Sequence, residues 1–400
     1  MSTPRPAARL SDYAAPLLLA ATMTTFLAAS SAPTPLYRLY QEAWGFSPVV
    51  LTLVFAVYAF SLLAALLTVG GISDHIGRRP TICAALLLQI AAMGAFLAAE
   101  SVPALIAARI LQGFATGTAT SVLAAALLDA APAAGPLGNA LTPPLGMALG
   151  ALGTAALAAY APWPLHLVYA LCLAAFVLQA ALIWTLPETA ARRPGAWASL
   201  RPRIAVPPRA RRALWTITPA NLAIWGVGGF FLSLVPSLVR AATDIRSTFA
   251  GGLVVAALTL SGAIGILTLR RKPAADALVS GSATLTLGSA AILAAVHLGS
   301  LPLLLGGSLI AGFGWGAGFL GGLRTIMPLA APEERAGLMA AYYIQSYLAM
   351  SVPAILAGIL VRQVGLIAAA NAYCGGAIAL AATGTLIAAA ERRKNAVQMG

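Results

Sequence analysis

The chain has 400 residues, 60% of them hydrophobic and only 9% charged, with a mean hydropathy of +0.88. A soluble protein of this composition could not cover itself with polar surface, so lipid must be part of its solvent. The net charge of +13 would suggest nucleic acid in a soluble chain, a reading that the placement of the basic residues removes below.

A bilayer core about 30 Å thick takes about 20 apolar helical residues per crossing. The sequence supplies about twelve such runs, at roughly 14–36, 49–69, 81–99, 104–128, 138–160, 165–186, 214–238, 248–269, 277–297, 301–322, 337–361 and 366–390. They are rich in Ala and Leu and lack the alternation of barrel strands, so the expected class is an all-α membrane protein. The first run exceeds the apolar region of a signal peptide and further spans follow. It is therefore expected to stay in the membrane, although Ser30-Ser31-Ala32 has the small side chains of a cleavage site.

Between the second and third spans, residues 70–80 read Gly-Gly-Ile-Ser-Asp-His-Ile-Gly-Arg-Arg-Pro. The glycines permit a tight turn, and Asp74 and Arg78, four apart, are spaced for a local ion pair. This loop resembles the one between helices 2 and 3 of the major facilitator superfamily, which reads Gly, three residues, Asp, two residues, Gly, Arg, Arg or Lys. Gly70, Asp74, Gly77, Arg78 and Arg79 match in place. The resemblance implies twelve helices in two pseudo-symmetric six-helix bundles. It also implies rocker-switch alternating access, with Asp74 and Arg78 as a latch that holds the outward-open state through contacts to the opposite half. Asp129, at the end of span 4, resembles by position the acid that completes this charge network.

Span 4 carries Arg109, the one charge well inside an apolar run. Such a charge costs about 2.5 to 3.5 kcal/mol on insertion scales, so its head must face the bundle interior or water. Gln112, Thr116 and Thr120 fall with it within about 80° on a helical wheel, a polar stripe down one face. A guanidinium that snorkels toward the surface is the competing expectation. Arg109-Ile110-Leu111-Gln112-Gly113 resembles the superfamily's second motif, linked in exporters to proton coupling, and so makes Arg109, Gln112, Gly113 and Thr116 coupling or cavity residues. Gly146, Gly150 and Gly153 of span 5 permit close helix packing. They resemble the antiporter motif only in part, because Gly150 is followed by Ala151 where the family has Pro.

Residues 187–213 form the one long polar segment, with seven arginines among several prolines, and divide the spans six and six. The expected organisation is a bundle over 1–186, a basic linker over 187–213 and a second bundle over 214–400. Arg78-Arg79-Pro80 is echoed by Arg271-Lys272-Pro273, and Pro35 to Arg38 by Pro236 to Arg240, as two parallel repeats would require. With the N-terminus inside, every Lys and Arg falls on a cytoplasmic segment except Arg38, Arg240, Arg246, Arg362 and the intramembrane Arg109. This positive-inside distribution places both termini in the cytoplasm and removes the nucleic-acid reading. Trp44, Trp163, Trp184 and Trp215 fall at span ends, as interfacial anchors do.

Substrate contacts are expected near mid-membrane at the interface of the halves. Asn221 and Trp225 share a face of span 7, Trp315 lies in span 10, Tyr343, Ser346 and Tyr347 share a face of span 11, and Tyr58 lies in span 2. Gly316 to Gly321 fits a dinucleotide fingerprint letter by letter, but no strand precedes it, so its glycines are expected to serve helix packing. His75, His166 and His297 are isolated near loops, no paired carboxylates lie inside the spans, and Cys83, Cys172 and Cys374 are scattered in apolar runs. No enzyme, metal site or cofactor is expected.

The resemblance as a whole implies a secondary transporter of the bacterial inner membrane, nearest to drug and small-metabolite exporters. Its implied partners are a small-molecule substrate, protons and the lipid bilayer, and its implied form is a monomer. Proton-driven efflux is the first expectation; a facilitator or symport importer of a small organic anion is the alternative. Span 1 lacks the embedded acid of many proton-coupled exporters, Asp12 lying at its inner edge. Neutral amphipathic or anionic substrates therefore fit better than cations, with Arg109 available for an anion.

Overall fold

The computed structural model describes residues 14–399, and Arg5, Arg9 and Asp12 lie outside them. The described chain is helical without strands. In the first half run α1 (Ala14–Ser31), α2 (Pro33–Trp44), α3 (Pro48–Thr68), the short α4 (Ser73–Ile76), α5 (Arg78–Leu97), α6 (Val102–Ala130), α7 (Gly135–Tyr160) and α8 (Leu167–Leu182). The linker holds one turn, α9 (Ala196–Ser199). The second half contains α10 (Pro208–Ser233), α11 (Val235–Thr243), α12 (Thr248–Leu269), α13 (Ala274–Leu298), α14 (Leu301–Ile326), α15 (Arg335–Val364) and α16 (Leu366–Met399).

Eleven segments are long and apolar enough to span a bilayer, with α1 and α2 counted as one, and the bent pair α10 and α11 makes a twelfth. The polarity is inverted relative to a soluble protein. Leucines 17, 87, 149, 178, 287 and 386 point outward, as a lipid-facing surface demands, whereas Arg109, Gln89, Gln112 and Asn221 are buried.

Two spans differ from the sequence expectation in the same way. The first does not end at residue 36 but breaks at Ala32 and continues as α2 to Trp44. The seventh breaks at Leu234, bends by 68°, and continues as α11 to Thr243. Proline explains both. Pro33 and Pro236 have no N–H to donate to Ala29 and Leu232, four residues back, so the ladder is interrupted and two carbonyls are set free. The linker is also shorter than expected, because Pro208, suited to a first helical position, starts α10 within the segment assigned to it.

Small residues bring the helices together. A Cβ at Gly150 of α7 would lie 2.0 Å from the Ala28 carbonyl of α1, and one at Gly316 of α14 would lie 2.0 Å from the Gly262 carbonyl of α12. Gly153, by contrast, faces open space and does not share the packing role expected of it. The fingerprint-like glycines 316 to 321 are packing positions in α14. The halves meet along two seams, α7 against α12 and α3 against α15. The bundle thus has a linker face, where 187–207 crosses between the halves, and an opposite, distal face, where α2 and α11 end.

Candidate transport site

The geometry around Arg109 begins with the proline break. Gln112 Nε2 donates at 2.8 Å to the Ala29 carbonyl that Pro33 sets free, and its Oε1 accepts from Arg109 Nη1 at 2.6 Å. The same guanidinium donates from Nη1 to the Ser30 carbonyl at 3.2 Å and from Nε to the Val54 carbonyl at 3.3 Å. Its Cζ lies 4.2 Å from the Tyr58 ring centroid and 5.9 Å from that of Tyr37, within cation–π range. Gly113 permits this arrangement: a Cβ there would sit 2.3 Å from the Tyr58 carbonyl, so α3 approaches α6 closely enough to lay Tyr58 on the arginine. Thr116 Oγ1 donates to the Gln112 carbonyl of its own helix.

Arg109 is 1% exposed, so it does not snorkel. It is the one buried charged side chain among the described residues, and no carboxylate lies within ion-pair distance of it. Its charge is solvated by carbonyls, one amide and two rings. Tyr37, which was not among the sequence candidates, is fully buried there with an unpaired hydroxyl.

The second half contributes an aromatic cluster. The Trp225 ring lies 4.9 Å from Tyr347, 6.4 Å from Tyr343 and 6.3 Å from Phe319. Asn221, one turn away, donates to Gln345 Oε1 at 2.9 Å and Ser346 Oγ at 3.0 Å, and Gln345 Nε2 donates to Thr218 Oγ1 at 2.8 Å. Trp315 stands outside this cluster. Its indole fills the space left by Gly228 and Gly262, where a Cβ would lie 3.2 Å and 2.7 Å from it. Tyr58 likewise packs on Arg109 in the first half and is not among the rings around Trp225.

The loop between α3 and α5 is a charge network within one half. Arg78 Nη1 lies 2.5 Å from Asp74 Oδ1 and 2.6 Å from Ser73 Oγ, while its Nε donates to Asp129 Oδ2 at 3.2 Å. Arg79 donates to the Leu186 carbonyl at 2.9 Å and stacks over Trp184. Glu188 of the linker, missed in the sequence, accepts from the backbone N–H groups of Arg78 at 2.7 Å and Arg79 at 3.0 Å, capping α5. Gly77 makes room for it: its φ is +106°, and a Cβ would sit 2.7 Å from Glu188 Oε2. Gly70, whose added Cβ would meet the Leu66 carbonyl at 2.5 Å, closes the turn after α3. The clue in sequence was a lone acid in an otherwise basic linker.

Among the described residues Asp74 pairs with Arg78 of its own half and reaches none of the opposite half. Among the described residues, the hydrogen bonds and ion pairs joining the halves directly lie toward the distal face. Thr34 Oγ1 donates at 2.9 Å to the Leu232 carbonyl that Pro236 sets free, and Arg240 Nη1 lies 3.5 Å from Glu42 Oε1. At the linker face the ion pairs Arg209 with Glu334, Arg212 with Glu391 and Arg392 with Asp276 all stay within the second half.

Two six-helix halves, tied at one face and untied at the other around a buried charge and an aromatic cluster, define a polytopic membrane transporter. The sequence matches the family model of the Major Facilitator Superfamily over residues 17–354, and the chain belongs to that family. Its fold is similar to that of a point mutant of the nucleoside transporter NupG, with 12% identity, a TM-score of 0.72, and coverage of 92% of this chain and 98% of that one. It is also similar to the human organic anion transporter MFSD10 (TETRAN), with 17% identity, a TM-score of 0.65, and coverage of 94% and 100%. No curated protein matches it.

Proposed function

We propose that this protein carries a small organic anion across the bacterial cytoplasmic membrane by alternating access, with both termini on the cytoplasmic side. The observation that carries the reading is Arg109, buried with no counter-ion among the described residues. A unit charge about 10 Å away, at an effective dielectric of about 20, is worth about 1.7 kcal/mol. That attracts an anion about 20-fold and repels a cation as strongly, without direct contact through Tyr58. On this reading Trp225, Tyr343 and Tyr347 supply the apolar wall of the substrate site, and Asn221 holds α10 to α15 beside it.

The positive-inside distribution supports a cytoplasmic linker face, and on this reading the conformation is inward-facing. Asp74, Arg78 and Asp129 wait in the first half for the swing that brings the second half to them. Transport is a rocking of the halves between this arrangement and its converse.

Proton-coupled efflux of a neutral amphipathic compound is the second reading, favoured by the Arg109 to Gly113 run. It requires a group in the membrane that takes up and releases a proton. Among the described residues every Asp, Glu and His lies in a loop or within a few residues of a helix end except Glu391, which lies inside α16 and pairs with Arg212 at the linker face. A coupled proton would travel most simply on the carboxylate of the substrate itself. Flux of paired isosteres such as benzoate and benzamide into proteoliposomes, with and without a pH gradient, separates the readings. The first predicts carriage of the acid alone, and the second predicts gradient-driven movement of the neutral compound.

A further inference from the structure

On the distal face a cavity of about 550 Å³ opens between α2 and α11, with Arg38, Gln41 and Glu42 on one wall and Arg240, Asp244 and Arg246 on the other. It straddles the two halves, on the side where they are tied. Three guanidiniums face two carboxylates, so the cavity is electropositive. Their bonding is uneven. Arg38 grips Glu42 Oε1 with Nε at 2.9 Å and Nη2 at 2.8 Å, whereas Arg240 reaches the same oxygen at 3.5 Å from across the gap. Arg246 has no carboxylate within ion-pair distance among the described residues.

We propose that this cavity is an outer recognition site for the carboxylate of the transported anion, and that the anion opens the distal face by replacing Glu42 at Arg240. This rests on the organic-anion reading above. The Arg240 to Glu42 contact is long, made by side chains 33% and 52% exposed, and shares an oxygen already committed to Arg38. A contact of that kind holds the halves weakly. A carboxylate taking Arg240 and the free Arg246 together would form the shorter, charge-assisted bonds that guanidiniums make with carboxylates. Glu42 would stay with Arg38 in its own half. Among the described residues Thr34 to Leu232 would then be the remaining polar tie across the distal face. One step thus recognises the substrate and unlocks the face it arrives at.

The test measures benzoate and succinate flux in proteoliposomes of defined orientation, with KM determined separately for the two faces. Arg246→Gln is expected to raise the ratio of distal-face KM to linker-face KM about tenfold, the loss of one charge-assisted bond. An unchanged ratio overturns the proposal while leaving the transport reading intact. Should no carboxylate be moved, the transport reading fails by itself, and a labelling experiment decides on the cavity. In a Thr34→Cys variant, succinate added at the distal face should increase modification by a membrane-impermeant maleimide several-fold, and a second change, Arg240→Gln, should abolish the increase. Labelling indifferent to succinate would overturn the proposal.

Discussion

Replacing Arg109 by methionine removes the charge and keeps most of the volume, and two separate effects follow. On stability, the variant loses the charge-assisted bonds to Gln112 and to the Ser30 and Val54 carbonyls and the stacking on Tyr58. Each bond to the charged group is worth about 1.5 to 3 kcal/mol and the stacking about 1 kcal/mol. The variant regains about 2.5 to 3.5 kcal/mol because no charge has to be held in the membrane interior. The terms cancel only in part, so thermal unfolding of the purified protein should show a loss of about 2 to 5 kcal/mol. On function nothing cancels. An anion about 10 Å away loses about 1.7 kcal/mol of attraction, so its Kd should rise about 20-fold. Arg109→Lys should fall between, because an ammonium keeps the charge but lacks the planar fork that engages Gln112 and the two carbonyls together. Scanning fluorimetry and binding titrations on the same preparations measure both. Unchanged anion affinity in a folded Arg109→Met protein would refute the electrostatic role, and gross unfolding would show that the arginine serves the fold.

Asp74→Asn should reduce transport at least severalfold while changing stability by less than about 1 kcal/mol, since the Asp74 side chain is 60% exposed and its ion pair is local; wild-type flux in the variant would remove the latch. Trp225→Ala should weaken substrate binding about tenfold through loss of its ring contacts, whereas Trp184→Ala at the membrane interface should change it less than about twofold, as read by equilibrium binding. Gly150→Ala should destabilise by about 1 to 3 kcal/mol in thermal unfolding, because its Cβ would meet the Ala28 backbone at 2.0 Å. The Ala331 N–H, and then Arg209, hold the Glu334 carboxyl below its ordinary value of 4.5. A depressed value means that the clasp is complete above that range and lost only as pH falls through the lower folded-state value. Carbon-detected NMR of labelled glutamate should find that titration, and Arg209→Gln should move it back up.

Much of this architecture was legible because a bilayer imposes its thickness on the chain: twelve apolar runs of about 20 residues cannot be read many ways. The Gly70 to Arg79 loop was legible because its glycines and charges interrupt those runs abruptly. The breaks at Ala32 and Leu234 were not read, although Pro33, Pro35 and Pro236 were visible. A proline in the first turn of a new helix leaves the same mark in sequence as one that kinks a continuing helix. That omission hid the most consequential contacts, since the carbonyls of Ala29 and Leu232 become acceptors only through those breaks. Backbone acceptors have no signature in residue identity, so Arg109 was found in sequence but its solvation was not. Glu188 and Glu42 escaped for another reason. Each lies near a span end outside the apolar runs, and only the fold brings Glu188 to the start of α5 and Glu42 opposite Arg240. For Trp315, midplane depth points to substrate contact, and the fold adds a packing role against Gly228 and Gly262 that residue identity does not show.

The central claim is that the substrate brings the negative charge which the membrane interior of this protein lacks. Radiolabel accumulation by proteoliposomes, compared for benzoate, benzamide and benzylamine at matched concentration, tests it most directly. The account predicts that the wild-type protein carries the carboxylate, that the neutral amide and the cation are carried at least tenfold more slowly, and that Arg109→Met erases the preference. Equal or faster carriage of the amine by a protein with Arg109 intact would contradict it.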